Sequence, residues 1–293
     1  MAFPTETVYG LGVDAENEST VARMYGIKGR PANHPVIVHI SSKDLVSYWA
    51  REIPDYATDL MSKYWPGPMT LLLKRTDKAM DFITGGQDVV GLRVPSNEIA
   101  QSLLKEFESL GGHGVAAPSA NRFGSVSPTT AKDVQEELGK FLGPEDVIID
   151  GGQCEVGVES TIIDCTGILP RILRLGAVTE AMIEEVSLID KDDNLSEIRV
   201  SGSLSRHYSP KAKVALDCTP ISGEGLIALA EIETPNGVVR LASPNSVEEY
   251  ARNLYGALRS GDAQGLRVIV AVMPEGKGLA AAIRDRLFRA SAE

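Results

Sequence analysis

The amino-acid sequence predicts an α/β protein with a larger mixed-sheet domain, a linker and a smaller α/β domain. Three observations support this prediction. Short apolar runs of strand length alternate with segments of helical periodicity. Some neighbouring predicted strands, such as Ser160–Asp164 and Arg171–Leu175, have no helix-length spacer between them, so the sheet is expected to be mixed rather than purely parallel. A polar stretch, residues 187–212, interrupts the pattern before it resumes.

The first domain is predicted to span residues 1–186. Its expected strands are Val36–Ile40, Met69–Lys74, Val89–Val94, Gly114–Ala117, Val147–Asp150, Ser160–Asp164 and Arg171–Leu175. Its expected helices are Ser19–Tyr25, Asp55–Tyr64, Glu98–Phe107, Ala131–Phe141 and Thr179–Val186. Thr130 with Asp133 three residues later is a variant of the capping box, which predicts the start of the fourth helix.

Residues 187–212, "SLIDKDDNLSEIRVSGSLSRHYSPKA", are polar and lack sustained periodicity, so we interpret them as an interdomain linker. The second domain, residues 213–293, is expected to be a small Rossmann-like α/β unit. Its predicted strands are Val214–Leu216, Leu226–Ala230, Val238–Ala242 and Leu266–Val272, and its two helices are "SVEEYARNLYGALRSG" and "GLAAAIRDRLFRAS".

Composition narrows the classes of protein. The chain has 293 residues, 43% of them hydrophobic, and a net charge of −11. This charge argues against an extended nucleic-acid surface, although it leaves a local basic groove open. Cys154, Cys165 and Cys218 are too scattered for a disulfide framework and form no zinc-type pair, so a reducing cytoplasm is expected. No apolar run reaches the roughly 20 residues of a membrane span, and the start lacks a signal-peptide pattern.

The stretch "FPTETVYGLG", residues 3–12, resembles part of a binding site. It combines two threonines, a carboxylate, a tyrosine and two glycines near the amino terminus, where chains usually carry dispensable residues.

The stretch "KGRP" follows the first helix, which Pro31 prevents from continuing. Lys28 and Arg30 therefore lie at the helix end or in the loop after it. Two cations around a glycine suit an anion clamp. The simpler alternative is that both cations only stabilise the carboxyl end of the helix.

A second polar loop, "APSANRFGSVSPTTA", lies between a strand and a helix. Ser119, Asn121 and Ser127 belong to it. Such loops suit phosphate binding because free N–H groups and the helix dipole point the same way. Ordinary turn formation and helix capping are the alternative, and the P-loop pattern is absent.

Three further polar side chains interrupt apolar strands. Arg93 in "GLRVPS" and Arg174 in "ILRLG" need either a polar surface or an anion, because an unpaired buried arginine is costly. His39 poses the same choice, with simple hydrogen bonding as the alternative. The sequence contains no G-x-S-x-G, H-E-x-x-H or G-x-G-x-x-G motif. This set of residues suits the alignment of charged substrates better than covalent catalysis.

The motifs in their order resemble one family. "FPTETVYGLG", "KGRP", "HPVIVHI", "WPGPMTLLL", "GLRVPS", "AAPSANRFGSVSPTTA", "IIDGG", "GVESTIID" and "ILRLGAVT" are similar to the YrdC-type threonylcarbamoyl-AMP synthases, including their K-x-R and S-x-N signatures. The later "RHYSPKAKV" resembles the long, two-domain form. The resemblance covers nearly the whole chain and implies a YrdC-like twisted mixed sheet in the first domain.

The resemblance also implies a reaction. L-threonine, bicarbonate or CO2, and ATP with Mg²⁺ would give threonylcarbamoyl-AMP and pyrophosphate in a nucleotidyl transfer. The product would pass to a tRNA threonylcarbamoyl-transfer complex in the cytoplasm, with weak tRNA contact left open and no membrane involved. No residue is expected to bind a metal directly, since Mg²⁺ on phosphates often keeps its waters.

Residue roles follow from the same resemblance. Threonine would be bound by Thr7, His39, Arg93, Ala117 and Ser160. The nucleotide would be bound by Lys28, Arg30, His34, Val89, Ser119, Asn121, Ser127, Arg174 and Tyr208, and Lys28 and Arg30 would act on the phosphates. Val89 and Ala117 could act only through backbone groups.

Two departures from the family pattern affect these expectations. Family members usually carry a longer segment with a sheet-covering helix before "FPTETVYG", where this chain has only Met1 and Ala2. A trimmed or late-assigned start and an exposed sheet edge are therefore expected. The linker also lacks the usual proline-glycine-methionine, although Tyr208 is kept.

Two other functions stay open at this stage. A binding module of the same fold would hold RNA or a nucleotide without catalysis. A carbamoyl transfer from carbamoyl phosphate, as in hydrogenase maturation, would normally require zinc-finger and acylphosphatase-like parts, for which the sequence has no cysteine pairs.

Overall fold

The computed structural model describes residues 1–31, 33–191, 198–202 and 207–292. Its strands, β1 to β13, are Ala2–Phe3, Gly10–Leu11, Val13–Asp14, Ile37–His39, Met69–Lys74, Val89–Arg93, Val115–Ala116, Thr161–Asp164, Arg171–Arg174, Lys213–Leu216, Gly225–Ile227, Val239–Ala242 and Val268–Ala271. Its helices, α1 to α9, are Glu18–Lys28, Val46–Trp49, Asp55–Tyr64, Asp81–Thr84, Glu98–Ser109, Ala131–Leu138, Glu180–Glu184, Val247–Ala263 and Leu279–Ser291.

The large sheet has the strand order β3-β7-β4-β6-β5-β8-β9. The pairs β4–β6 and β5–β8 are parallel, and the other neighbours are antiparallel. The prediction of a mixed sheet is therefore confirmed. Because β4 and β6 are parallel and in register, His39 and Arg93 lie side by side at the same end of the sheet.

The small sheet has the order β10-β13-β11-β12, and all of its pairs are parallel. Helix α8 buries Tyr250, Leu254 and Leu258 at four-residue spacing, as a helix packed on a sheet requires. The predicted Rossmann-like α/β unit is thus present at the carboxy terminus. Residues 192–197 and 203–206 of the predicted linker lie outside the described part of the chain.

Local signals explain several element ends. Thr130 Oγ1 accepts a hydrogen bond from the Asp133 amide at 3.1 Å, and the Asp133 carboxylate accepts one from the Thr130 amide at 2.9 Å. This is the predicted capping box of α6. Helix α1 ends at Gly29, whose φ of 60° is left-handed, and Pro31 follows.

One predicted strand is wrong. Residues 147–150 form only an isolated bridge between Ile148 and Ala2. The neighbouring strand is too short for a longer ladder, because β1 has only two residues and already pairs with β2 on its other side.

Two large apolar cores stabilise the fold. The first packs the large sheet against its helices and buries Met24, Trp49 and Leu60 completely. The second combines residues of both domains, since Val8, Val126 and Val158 of the first pack with the inward faces of α8 and α9 of the second. The two domains therefore share this second apolar core.

Candidate active site

A cavity of about 50 Å³ lies at the ends of strands β4, β6 and β8. Nine of the predicted site residues line it: Thr7, Arg30, His39, Arg93, Ala117, Ser119, Ser160, Arg174 and Tyr208. The fold therefore brings together side chains that are far apart in sequence.

The other five predicted residues do not line this cavity. His34 packs its ring edge-on against Phe123, and Val89 lines a smaller neighbouring pocket. Asn121 Nδ2 donates hydrogen bonds of 2.8 Å to two carbonyls of its own loop. Ser127 Oγ donates to Glu159 at 2.7 Å. Lys28 is buried under the same loop.

The amino-terminal stretch forms a tight turn beside the cavity. Thr5 Oγ1 accepts hydrogen bonds from the amides of Thr7 and Val8, both at 3.2 Å, and donates one to the Val8 carbonyl at 2.7 Å. Thr5 and Thr7 line the cavity as a result. Gly12 is required by packing, because a Cβ atom at this position would lie 2.6 Å from the Phe3 ring.

Arg93 enters the cavity from β6. Its Nη2 lies 2.8 Å from the Glu6 carboxylate, and both side chains are buried. The neighbouring His39 is neutral, because burial and then the charge of Arg93 lower its pKa to about 3. The site thus offers one cationic fork beside an uncharged imidazole.

Arg174 enters from β9 and is also buried. Its Nε and Nη2 donate to the Ser160 carbonyl at 3.0 and 2.9 Å, and its Nη1 donates to the Ser201 carbonyl at 2.9 Å. Ser160 Oγ lies 2.7 Å from Thr70 Oγ1. Arg174 therefore joins the mouth of β8 to the segment that covers the cavity.

We call residues 198–202 and 207–208 the closing segment. Val200 packs on Leu72 and Ile162 of the sheet, and Ser201, His207 and Tyr208 line the cavity. A Cβ on Gly202 would lie 2.4 Å from the Tyr208 hydroxyl, so only glycine fits this close approach.

Tyr208 itself has a φ of 60°, which is unusual for a bulky residue. It is buried against Tyr255 of α8, with ring centroids 5.6 Å apart. Strained backbone that the surrounding packing holds in place is frequent at ligand sites.

Several buried polar atoms around the cavity have no hydrogen-bond partner among the described residues. They include Arg30 Nε, His39 Nδ1, Arg93 Nε, His207 Nδ1 and the Tyr208 hydroxyl. An unmade buried hydrogen bond is costly. Their concentration at one cavity indicates a site that binds a polar ligand.

Sequence reasoning noted Glu6 and Glu159 without giving them a role, and it missed Tyr255 and Arg286. Glu159 accepts hydrogen bonds from Ser127, Tyr255 and Arg286. A signal for Arg286 was available, because it stands among Ile283, Leu287 and Ala290 on the buried face of α9. The pairing across 127 positions had no local signal.

Within the described residues, no group of three or more His, Cys, Asp or Glu side chains could hold a metal ion. No described helix is long and apolar enough to cross a membrane.

Comparisons with known proteins cover the whole chain. A family model described as telomere recombination, Sua5_yciO_yrdC, matches residues 1–176. A second, described as the threonylcarbamoyl-AMP synthase C-terminal domain, matches residues 178–292.

Among curated proteins, the threonylcarbamoyl-AMP synthase of Pyrococcus abyssi is 40% identical over 99% of this chain and 90% of its own length. That of Bacillus subtilis is 35% identical over 99% and 89%. Among solved structures, P. abyssi Sua5 complexed with L-threonine superposes with a TM-score of 0.88 at 38% identity, over 99% of this chain and 89% of that one.

Proposed function

The chain belongs to the family of two-domain threonylcarbamoyl-AMP synthases, and we propose that it forms threonylcarbamoyl-AMP and pyrophosphate from L-threonine, bicarbonate or CO2, and ATP. It is therefore an enzyme, and the reaction class we propose is nucleotidyl transfer. Family membership agrees with the resemblance of the sequence motifs.

One observation carries the proposal. Arg30, Arg93 and Arg174 converge on a single cavity whose described wall otherwise consists largely of hydroxyl and neutral groups. Three cations in one buried site suit a reaction between polyanionic and zwitterionic substrates. Such a site aligns reactants and neutralises charge without a protein nucleophile.

We assign the threonine end of the site to Arg93 and its neighbours. Arg93 would pair with the substrate carboxylate through a bidentate contact. The neutral His39, the Thr7 and Ser160 hydroxyls and the backbone of Ala117 would hold the rest of the amino acid. The P. abyssi relative was solved with L-threonine, which supports threonine as a substrate.

We assign the nucleotide end to Arg30, Ser119, Arg174 and Tyr208, which also line the cavity. Lys28, His34, Val89, Asn121 and Ser127 would support it from behind the wall or at its rim.

The chemistry needs two steps. The uncharged amine of threonine adds to CO2 and loses a proton, which gives a carbamate. A carbamate oxygen then attacks the α-phosphorus of ATP, and pyrophosphate leaves. The residues orient both reactants in line and stabilise the negative charge that is spread over the phosphates.

Mg²⁺ would enter as part of the ATP substrate. Both oxygens of Glu159, the carboxylate on the cavity wall, already accept hydrogen bonds. The described part of the wall thus has no spare carboxylate for direct ligation, and we propose that phosphate oxygens and water coordinate the ion.

We infer that the closing segment moves during the cycle. Ligand pockets of this kind usually measure roughly 300–1,000 Å³, whereas the cavity measures about 50 Å³. We propose that the segment opens to admit ATP and then closes to exclude water from the carbamate.

We further propose that the product passes to a tRNA-modifying transfer complex in the cytoplasm. The three cysteines are free, which suits a reducing compartment.

The test is pyrophosphate release by the purified chain with ATP and Mg²⁺. Release should require both L-threonine and bicarbonate, so omission of either is the control. Threonine-independent release would contradict the proposal. Nucleotide binding without any release would instead favour the binding-module alternative, and turnover that requires carbamoyl phosphate would favour carbamoyl transfer.

A further inference from the structure

The buried carboxylate of Glu159 is held by two side chains of the second domain. Its Oε2 accepts hydrogen bonds from Tyr255 of α8 at 2.8 Å and from Arg286 Nε of α9 at 2.9 Å. Its Oε1 accepts one from Ser127 at 2.7 Å. The second domain therefore reaches the wall of the candidate active site directly.

Glu159 is also a neighbour of Arg174. Arg174 donates three hydrogen bonds to Ser160, the next residue in the chain, and both Glu159 and Arg174 line the cavity. Their charges interact across the buried site, and a buried carboxylate and guanidinium would tend to pair if neither had another partner. Within the described residues, however, Arg174 donates only to carbonyl and hydroxyl oxygens.

Arg286 explains why these two charges do not neutralise each other. Its side chain is fully buried, and each of its nitrogens is engaged, by Glu159, by the Leu175 carbonyl at 2.9 Å and by Asp285 at 2.8 Å. The guanidinium also lies 5.4 Å from the centre of the Tyr208 ring.

We propose that Arg286 is a positioning residue of the second domain that takes up the charge of Glu159, so that the charge of Arg174 is not neutralised by that carboxylate and can act on the phosphates of a nucleotide. This inference rests on the proposed function, in which Arg174 faces the nucleotide.

The charge balance of the site supports the assignment. Among the described residues, the charged and titratable groups around Glu159 include Arg174 of β9, His207 and Tyr208 of the closing segment, Tyr255 of α8, and Arg286 of α9 with its second carboxylate partner Asp285. His207 is neutral, because burial lowers its pKa to about 3. Without Arg286, the cation left beside Glu159 among the described residues is Arg174, and the carboxylate would also repel phosphate.

The idea also gives the second domain a role in substrate binding. A buried ion pair is often no more stabilising than apolar residues of the same size, so stability alone does not account for an arginine on the buried face of α9. The position of its positive charge beside Glu159 accounts for it.

The test measures the dissociation constant of a non-hydrolysable Mg–ATP analogue by calorimetry. The proteins are the wild type, Glu159→Gln, Arg286→Gln and the double variant. Arg286→Gln should weaken binding by roughly tenfold or more, the size of one lost charged hydrogen bond. The double variant should recover to within about threefold of the wild type, because the competing carboxylate is also gone.

A matched control uses the same substitution on the same helix. Arg284→Gln removes a half-buried arginine that donates to the carbonyls of Pro274 and Gly276. It should bind the analogue like the wild type. Threonine affinity should change less than threefold in all variants.

The inference is overturned if Arg286→Gln binds the analogue normally, or if the double variant is as weak as Arg286→Gln, since that would indicate a packing role. If circular dichroism shows that Arg286→Gln does not fold, the affinity of Glu159→Gln for the analogue is the deciding measurement. Unchanged or tighter binding supports the inference, and weaker binding overturns it. The assay needs no turnover, so a wild type that binds the analogue but releases no pyrophosphate contradicts only the proposed function.

Discussion

The ammonium nitrogen of Lys28 lies 2.5 Å from the carbonyl oxygen of Ser119, and the Asn121 carbonyl is equally close. The last residue of α1 therefore holds the loop that carries the predicted nucleotide contacts. Its charge is used inside the protein, and burial lowers its pKa well below the ordinary value.

Lys28→Met should destabilise the protein because it leaves two buried carbonyl oxygens without a donor. The free energy of unfolding should fall by about 1–3 kcal/mol, since removal of the buried charge offsets part of the loss. Urea denaturation measures this, with the exposed Lys105→Met as the matched control. An unchanged midpoint would show that Lys28 does not support the loop.

Arg30→Gln should affect nucleotide binding more than stability. Arg30 donates to the Pro35 carbonyl at 2.7 Å and to Ser201 of the closing segment at 3.0 Å. ATP affinity should fall about tenfold with the loss of one charged contact, and threonine affinity should stay the same. Calorimetry with each substrate separates the two, and an equal loss for both would argue against the assignment.

Arg93→Lys keeps the charge but loses the planar fork that can serve Glu6 and a substrate carboxylate together. Threonine affinity should fall about tenfold or more, whereas ATP affinity serves as the internal control and should hold. If ATP binding weakens instead and threonine binding holds, Arg93 belongs to the other substrate.

Tyr208→Ala should open the cavity, because the ring covers it and stacks on Tyr255. We expect less product per ATP consumed, since intermediate would be lost to water. The yield of threonylcarbamoyl-AMP relative to pyrophosphate is the measurement. The control is Tyr56→Ala. Tyr56 does not line the described cavity, and its hydroxyl donates a hydrogen bond to the Gly167 carbonyl. Equal yields in all three proteins would leave the closing segment as a tether.

Acid should destabilise the fold through two buried histidines. Burial lowers the pKa of both His39 and His207 to about 3, below the ordinary value near 6.5. Below that ordinary value the unfolded chain binds protons that the folded chain does not, so stability is present above about pH 6.5 and declines as the pH falls.

Between pH 7 and pH 5 the loss should be roughly 1–2 kcal/mol per histidine. Urea midpoints at both values test this, and His207→Gln should remove about half of the difference. The same difference in the variant would contradict the prediction.

Much of the fold could be predicted from local patterns. The predicted strands Met69–Lys74 and Val89–Val94 match β5 and β6 to within one residue, because long apolar runs with clear ends indicate buried strands. Arginine within such a run correctly pointed to a special environment at Arg93. The prediction of a strand at residues 147–150 was wrong because an apolar run does not by itself provide a neighbouring strand to pair with.

The candidate site was harder to predict from the sequence than the fold. Its lining follows from strand order, which local periodicity does not report. Glu159 and Arg286 belong to different domains, and each looks ordinary in its own segment. Only the packing of α9 against the mouth of β8 makes them partners.

The shared interior described above has a consequence for how the chain unfolds. Val8, Val126 and Val158 are buried by α8 and α9, so separation of the two domains would expose apolar surface on both at once. Each domain is therefore expected to lose its structure with the other, in one cooperative transition, with a single denaturant slope that corresponds to the surface of the entire chain.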